Sequence, residues 1–347
     1  MKYIIYTILA LFFIACNDNK SSDKIQDTSS WKDEPYYKYM WHINSQNSIL
    51  NTLGYNISEN ADINLSNILD ITQGENIKVA IIDGSFDVEH EDLKENIIST
   101  YNIDANTFDV TNHSTSPSHG NSCAGLIASP INNKGIIGIA PKAKLILIKQ
   151  TYNNDADTIK AFEYAKNQGA KVVSCSWGTE DVSDAVAEEI KSLYDANITV
   201  VFAAGNDNKS LDEDDINDES ELPWVIGVGS SNELNEVSFY SNYGSNIDLY
   251  APGGNIDYMG VLTIDDSNDK GDTNQKNLVT NNYTFVEGTS FSAPIVAGVV
   301  ALMYSVNPNL TVDNILEILK DTSTIINEKN KKINAYQAVI KAKENIF

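Results

Sequence analysis

Gly288-Thr289-Ser290-Phe291-Ser292-Ala293-Pro294, running on as Ile295-Val-Ala-Gly-Val-Val-Ala-Leu302, decides the reading of this chain. A glycine-led turn delivers one serine to the start of an apolar helix. A helix start carries unpaired N–H groups and a positive potential, which are the donors an oxyanion needs after nucleophilic attack. Serine at such a place is also an ordinary helix cap, so the stretch alone leaves both readings open. A serine nucleophile needs a base, and the base needs an orienting carboxylate. The histidines are His42, His90, His113 and His119. His119 sits in Ser118-His119-Gly120-Asn121-Ser122-Cys123-Ala124-Gly125, whose small residues read as a tightly packed helix start. Upstream, Ile77 to Asp83-Gly84 is a buried-strand run ending in a carboxylate, where α/β enzymes carry reactive groups. Val200 to Asn206 is a second apolar strand, ending in Gly-Asn, whose amide can donate to an oxyanion.

The blocks I-I-D-G at 81–84, H-G-N-S-C-A-G at 119–125, A-A-G-N at 203–206 and G-T-S-F-S-A-P at 288–294 follow the order Asp, His, Asn, Ser. With these blocks the chain resembles the subtilisin-like serine peptidases, or subtilases, over roughly residues 35–345. The resemblance implies a three-layer α/β fold, a mainly parallel central sheet flanked by helices. It implies hydrolysis of protein or peptide substrates, with Asp83 as orienting acid, His119 as general base, Ser290 as nucleophile and Asn206 as oxyanion donor beside the Ser290 N–H. Asn121-Ser122 stand where the family usually has Thr-His; they adjoin the base without joining the relay, and little effect is expected. Two other classes are weighed. A binding lipoprotein on an inactive scaffold would lack part of the triad, which is complete here. A peptide ligase would need water excluded from the acyl-enzyme, and no large inserted lid is evident.

Apolar runs at Val79–Asp83, Leu145–Lys149, Val172–Ser176, Ile198–Ala204 and Val225–Val228 alternate with helical patterns at Asp155–Asn167 and Val182–Ala196, which argues for a parallel sheet covered on both faces. Helices follow at the Ser290 segment, Val312–Leu319 and Ala335–Asn345. One catalytic domain over 35–347 is expected, because the blocks run from 83 to 290 without a linker. Residues 1–16 read as a lipoprotein-type signal: a short apolar run ends in Phe13-Ile14-Ala15-Cys16, with Cys16 as the lipidated residue. A plain secretory signal cleaved elsewhere is the alternative. Residues 17–34 read as a flexible polar tether, too short for a folded inhibitory pro-segment. An exported, lipid-anchored protein of the bacterial cell envelope, monomeric, is expected. The formal net charge of −24 opposes binding to nucleic acid or anionic lipid. Cys123 and Cys175 read as small buried hydrophobes, with a disulfide left open.

No organic cofactor is expected. His90-Glu91-Asp92-Leu93 resembles the family's H-P-D-L, and Ile131-Asn132-Asn133-Lys134-Gly135-Ile136 its cation-wrapping loop. That resemblance implies structural calcium held by Asp92 and Asn132, set against a calcium-free loop held by its own turns. Ser176-Trp177-Gly178 fall at the family's substrate-binding edge, where a peptide adds as an extra strand. The words S-C-S-W-G and Tyr39-Met40-Trp41-His42 resemble the kexin-like branch, which cleaves after basic residues. That implies an acidic first pocket built from Glu180 and Asp181, with Asp265 as a further carboxylate, set against ordinary loop acids in a very acidic chain. The run Leu211–Glu221 reads as a solvated acidic loop.

Overall fold

The computed structural model describes residues 30–46, 48–65, 67–113, 117–151, 154–179, 181–212, 218–267, 276–327 and 329–344. The signal, most of the tether, Cys16 and Glu180 lie outside the described residues. A nine-stranded sheet runs β10-β11-β7-β6-β5-β4-β1-β3-β2 across the molecule. Its parallel body is β2 (Ile97–Asn102), β3 (Lys144–Lys149), β1 (Lys78–Asp83), β4 (Val172–Cys175), β5 (Thr199–Ala203), β6 (Ile226–Ser231) and β7 (Leu249–Pro252). A short antiparallel pair, β10 (Thr324–Ile325) and β11 (Lys331–Lys332), extends the β7 edge. A separate hairpin pairs β8 (Val261–Ile264) with β9 (Tyr283–Val286).

The strands are continuous apolar runs because both faces are buried. In β1, Val79 and Ile81 face the larger core, while Ala80 and Ile82 face the smaller one. The larger core holds α1 (His119–Ala128), α4 (Thr289–Val306) and α6 (Ala335–Glu344), with α5 (Val312–Thr322) beside α6. The smaller holds α2 (Asp155–Asn167) and α3 (Asp184–Asp195). The expected three layers are present. Among the described residues α4 alone is long and apolar enough to cross a membrane, and it is buried in the core.

Strand order reverses around β1: the chain leaves it for the β2 edge, returns through β3, then crosses to β4 and beyond. Crevices at the carboxyl ends of strands near such a switch are where open α/β sheets place their chemistry. Asp83 ends β1, and Ser176 and Gly205-Asn206 follow the carboxyl ends of β4 and β5.

Candidate active site

Asp83 is buried at the end of β1, and both its oxygens face His119 Nδ1, at 3.0 and 2.9 Å. Oδ1 also accepts the Gly84 N–H at 2.7 Å. The carboxylate therefore fixes the ring's tautomer and orientation, leaving Nε2 as the nitrogen free for proton transfer. Enclosure of the His119 ring disfavours its charged form, but the adjacent Asp83 carboxylate outweighs this and holds the imidazole pKa well above its ordinary value.

Ser290 is the second residue of α4. Pro294, four residues on, has no N–H, so the Ser290 carbonyl has no helical partner. That carbonyl accepts instead from Ser176 Oγ at 2.7 Å and from the Cys123 thiol at 3.4 Å. In return the Ser290 hydroxyl donates to the Ser176 carbonyl at 3.1 Å. Ser176 thus grips the serine from both sides, and the proline deep in a helix start is explained by the partner it releases. Asn206 Oδ1 accepts from the Thr289 N–H at 2.9 Å and the Thr289 hydroxyl at 3.0 Å. With the oxygen committed, the NH₂ end is the one that can donate to an oxyanion. Asn242, which the sequence did not single out, braces this loop: it donates to Ala204 O at 2.7 Å and accepts from the N–H groups of Asp207 and Lys209 at 3.1 and 3.0 Å.

Cys123 is buried one turn behind His119, its Sγ 3.9 Å from Nδ1. Burial pushes its thiol pKa up, so it stays neutral. Cys175 is also a buried free thiol; the two form no disulfide.

A cleft of about 670 Å³ opens beside Ser290. Ser176, Trp177 and Gly178 line it, and the Trp177 indole turns inward, donating to Ile82 O at 2.9 Å and packing edge-on against Phe202. Its acids differ from the expectation. Asp181 is exposed and outside the lining, and Asp265 is buried against α1, accepting the Asp266 N–H at 2.8 Å. Among the described residues the lining carboxylates are Asp207, Asp218 and Glu221. Asp218 and Glu221 end the acidic run read as a solvated loop. In the fold, Glu219–Glu221 form a buried 3-10 turn, with Asp218 and Glu221 engaged in a capping box. A Cβ on Gly178 would come within 2.3 Å of Asp218 Oδ2, so only glycine lets that carboxylate lie on the cleft wall. Beneath them Glu219 accepts from the Thr179 N–H and hydroxyl at 3.0 and 2.8 Å, its pKa raised by burial and by Asp218.

The expected cation loop is occupied differently. The N–H groups of Asn132, Asn133 and Lys134 converge on the Glu34 carboxylate at 2.6, 2.8 and 3.1 Å. Asn132 Oδ1 accepts the Lys134 N–H at 3.0 Å, and its Nδ2 donates to Glu91 O at 3.2 Å. Asp92 Oδ2 accepts the Ile136 N–H at 2.9 Å, while Oδ1 is buried without a hydrogen bond. A hard cation wants six or more oxygens. This loop turns donors inward, onto a carboxylate from the chain itself, and Asn132 Oδ1 is turned to the Lys134 N–H. The orphan oxygen of Asp92 would suit an ion, but the donor set as a whole does not.

The subtilase family profile matches residues 74–339. The major intracellular serine protease of Bacillus subtilis (strain 168) is 33% identical over 245 residues, covering 67% of this chain and 70% of that protein. A calcium-dependent protease of Trichormus variabilis is 29% identical over 307 residues, 80% of this chain and 46% of its own. The chain spans 63% of the length of the thermophilic serine proteinase of Bacillus sp. (strain AK1). Among solved structures, a protease from Pseudoalteromonas arctica superposes with a TM-score of 0.77 at 25% identity, over 90% of this chain and all of that one.

Proposed function

The chain belongs to the subtilase family of serine peptidases, and from that premise we propose that it is an endopeptidase working through Asp83, His119 and Ser290. Ser290 Oγ turns from the Ser176 carbonyl toward His119 and attacks the scissile carbonyl. His119 Nε2 takes the proton, and Asp83 stabilises the imidazolium through Nδ1. The oxyanion is met by the Asn206 NH₂ and the Ser290 N–H, at the positive end of α4. His119 then returns the proton to the leaving amine, and water hydrolyses the acyl-enzyme by the same route. The observation that carries this is the Asp83–His119 pair joined to the Ser290 turn through Cys123, whose Sγ lies 3.9 Å from His119 Nδ1 and 3.4 Å from the Ser290 carbonyl. The test is hydrolysis of a denatured protein substrate, with fluorophosphonate labelling, by wild type and Ser290→Ala. A labelled wild type and an inert variant are expected; equal activity in the variant sinks the mechanism.

The first pocket favours Arg or Lys before the cut. Asp207, Asp218 and Glu221 support this, since a carboxylate in a partly dry pocket attracts a cation and can meet arginine with paired hydrogen bonds. Peptide-library cleavage by wild type and Asp218→Asn tests it; a profile dominated by Leu, Phe or Tyr eliminates the preference and leaves the peptidase reading standing.

The motif ending in Cys16 supports export and a lipid anchor at the cell envelope, and Cys16→Ser should free the protein from membranes. The calcium-dependent relative supports a structural cation in this fold, but no step is assigned to one here. With Glu34 seated in the loop, Asp92 and Asn132 are not proposed as its ligands, so a chelator should shift the thermal midpoint of Asp92→Ala as much as that of wild type.

A further inference from the structure

The first turn of α1, which carries the base, is fastened from outside the helix. Ser118 holds the N-cap position, yet its side chain caps no helical N–H. A capping serine is worth ~1 kcal/mol to a helix, and here that use is given up. The Ser118 N–H and hydroxyl both donate to Asp266 Oδ2, each at 3.0 Å, across 148 residues of sequence. Asn112 Nδ2 reaches the same oxygen at 2.8 Å. Asp266 is 2% exposed. The neighbouring residues of the hairpin continue the attachment: Asn121 donates to Asp265 O at 2.9 Å, Ser122 to Ile264 O at 2.9 Å, and Thr263 to Ser122 O at 2.7 Å. From the other side, Ser85, two residues past Asp83, donates to the Ser118 hydroxyl at 3.2 Å. His119 sits between Ser118 and Asn121, bracketed by the clamp.

We propose that Asp266 is a positioning residue for His119. An ionised carboxylate only accepts, so one oxygen can gather three donors, and such charge-assisted bonds are the stronger kind. Asp266 fixes the backbone immediately before the base, so that Nδ1 stays on Asp83 while Nε2 faces the nucleophile. Misplacement of a catalytic group by about 1 Å can cost ~10² in rate. The inference rests on the peptidase reading.

The experiment uses the full chain with Asp266→Ala, Asp266→Asn and Ser118→Ala, reading kcat, KM and the pH profile of kcat/KM on a peptide substrate. Asp266→Ala should lower kcat ~30- to 100-fold with KM within about twofold. Its acidic limb should move to lower pH, because a loosened Asp83 contact no longer raises the imidazole pKa. Asp266→Asn keeps an uncharged oxygen with lone pairs for two of the three donors and should fall between Asp266→Ala and wild type, within about tenfold of the latter. Should Asp266→Ala fail to fold, Ser118→Ala carries the test, with a ~3- to 10-fold loss in kcat and the same shift of the limb. A folded Asp266→Ala or Ser118→Ala with wild-type kcat overturns the proposal, and so does a loss shared by kcat and KM with an unmoved limb. A wild type without hydrolysis would instead overturn the peptidase reading itself.

Discussion

Proton affinities at three buried or half-buried positions decide how the protein responds to pH. His119 must be neutral to act as base, and Asp83 raises its pKa, so kcat/KM should be lost as pH falls, along an acidic limb centred above the ordinary imidazole value of ~6.5. Asp83→Asn should bring that limb down and cut turnover by ~10⁴; a wild-type limb below the free imidazole value contradicts the assignment. Asn206→Leu should cost ~10²–10³ in kcat with KM nearly unchanged, the size seen on removing such a donor in a family relative. A loss confined to KM would give Asn206 another role. Elsewhere, the His42 ring is wholly buried with neither nitrogen hydrogen-bonded, and burial pushes its pKa down to about 3. Below pH 6.5 the unfolded chain binds a proton there that the folded one refuses, so stability drops as pH falls toward 3. Asp92 runs the other way. Burial, helped by Glu34 and Glu91, pushes its pKa up to about 7, so the stability it gives below 3.8 is lost as pH rises through 7. Each slope is ~1.4 kcal/mol per pH unit, and the two oppose one another between about 4 and 6.5. In urea melts, His42→Leu should therefore lose stability with rising pH across this window, and Asp92→Asn should gain it. Curves parallel to wild type for both would refute the pairing.

The elements around the base meet at distances that only glycine allows. A Cβ on Gly125 would lie 2.6 Å from Ile264 Cγ1, where α1 crosses the β8–β9 hairpin. Gly125→Ala should lower stability by ~1–3 kcal/mol, as overpacking does, seen as a drop in the thermal midpoint; an unchanged midpoint would mean the hairpin yields freely. This junction also marks where sequence stops being legible. α2 is read to the residue, Asp155–Asn167, because Asn154 caps it and its apolar positions keep a helical spacing. The strands β1, β3, β4 and β5 are read within a residue or so at each end, because burial on both faces leaves an unbroken apolar run. β8 and β9 are not, since two four-residue strands lie far apart in a polar segment and only their mutual pairing reveals them. The acids follow the same division. Asp83 is legible because it ends an apolar strand. Asp266 and Glu34 are not, because nothing local marks a carboxylate whose donors lie more than ninety residues away. Asp218 stood in plain sight within the acidic run, but composition cannot tell a cleft wall from a solvated loop. Asn121 and Ser122, read as bystanders, are the side chains that tie the helix to the hairpin.

Across the whole molecule, charge and the N-terminal segment matter most. A net charge of −24 surrounds a cleft lined, among the described residues, by Asp207, Asp218 and Glu221, so cationic peptides should be drawn in by a field that salt screens. Raising ionic strength from ~0.01 to ~0.5 M should lower kcat/KM several-fold for a peptide with Arg before the cut and leave a neutral one nearly unmoved; identical salt responses would remove the cleft acids from recognition. From Trp31 on, the chain is fastened to the body: Trp31 donates to Asp70 at 3.0 Å, Glu34 seats in the 132–134 loop, the Tyr36 N–H reaches Gly135 O at 2.8 Å, and Trp41 donates to Gly260 O at 2.8 Å. If the proposed anchor gathers copies of this peptidase together, that fastening separates harmless from ruinous self-digestion. Cuts after Lys20 or Lys24 would shed the catalytic body from any anchor with every one of these bonds intact, whereas cuts after Lys38 would strip Glu34 from its loop. Should the proposed tether hold, Trp31, the first of the described residues bonded to the body, would mark how an anchored molecule could be released with its site whole.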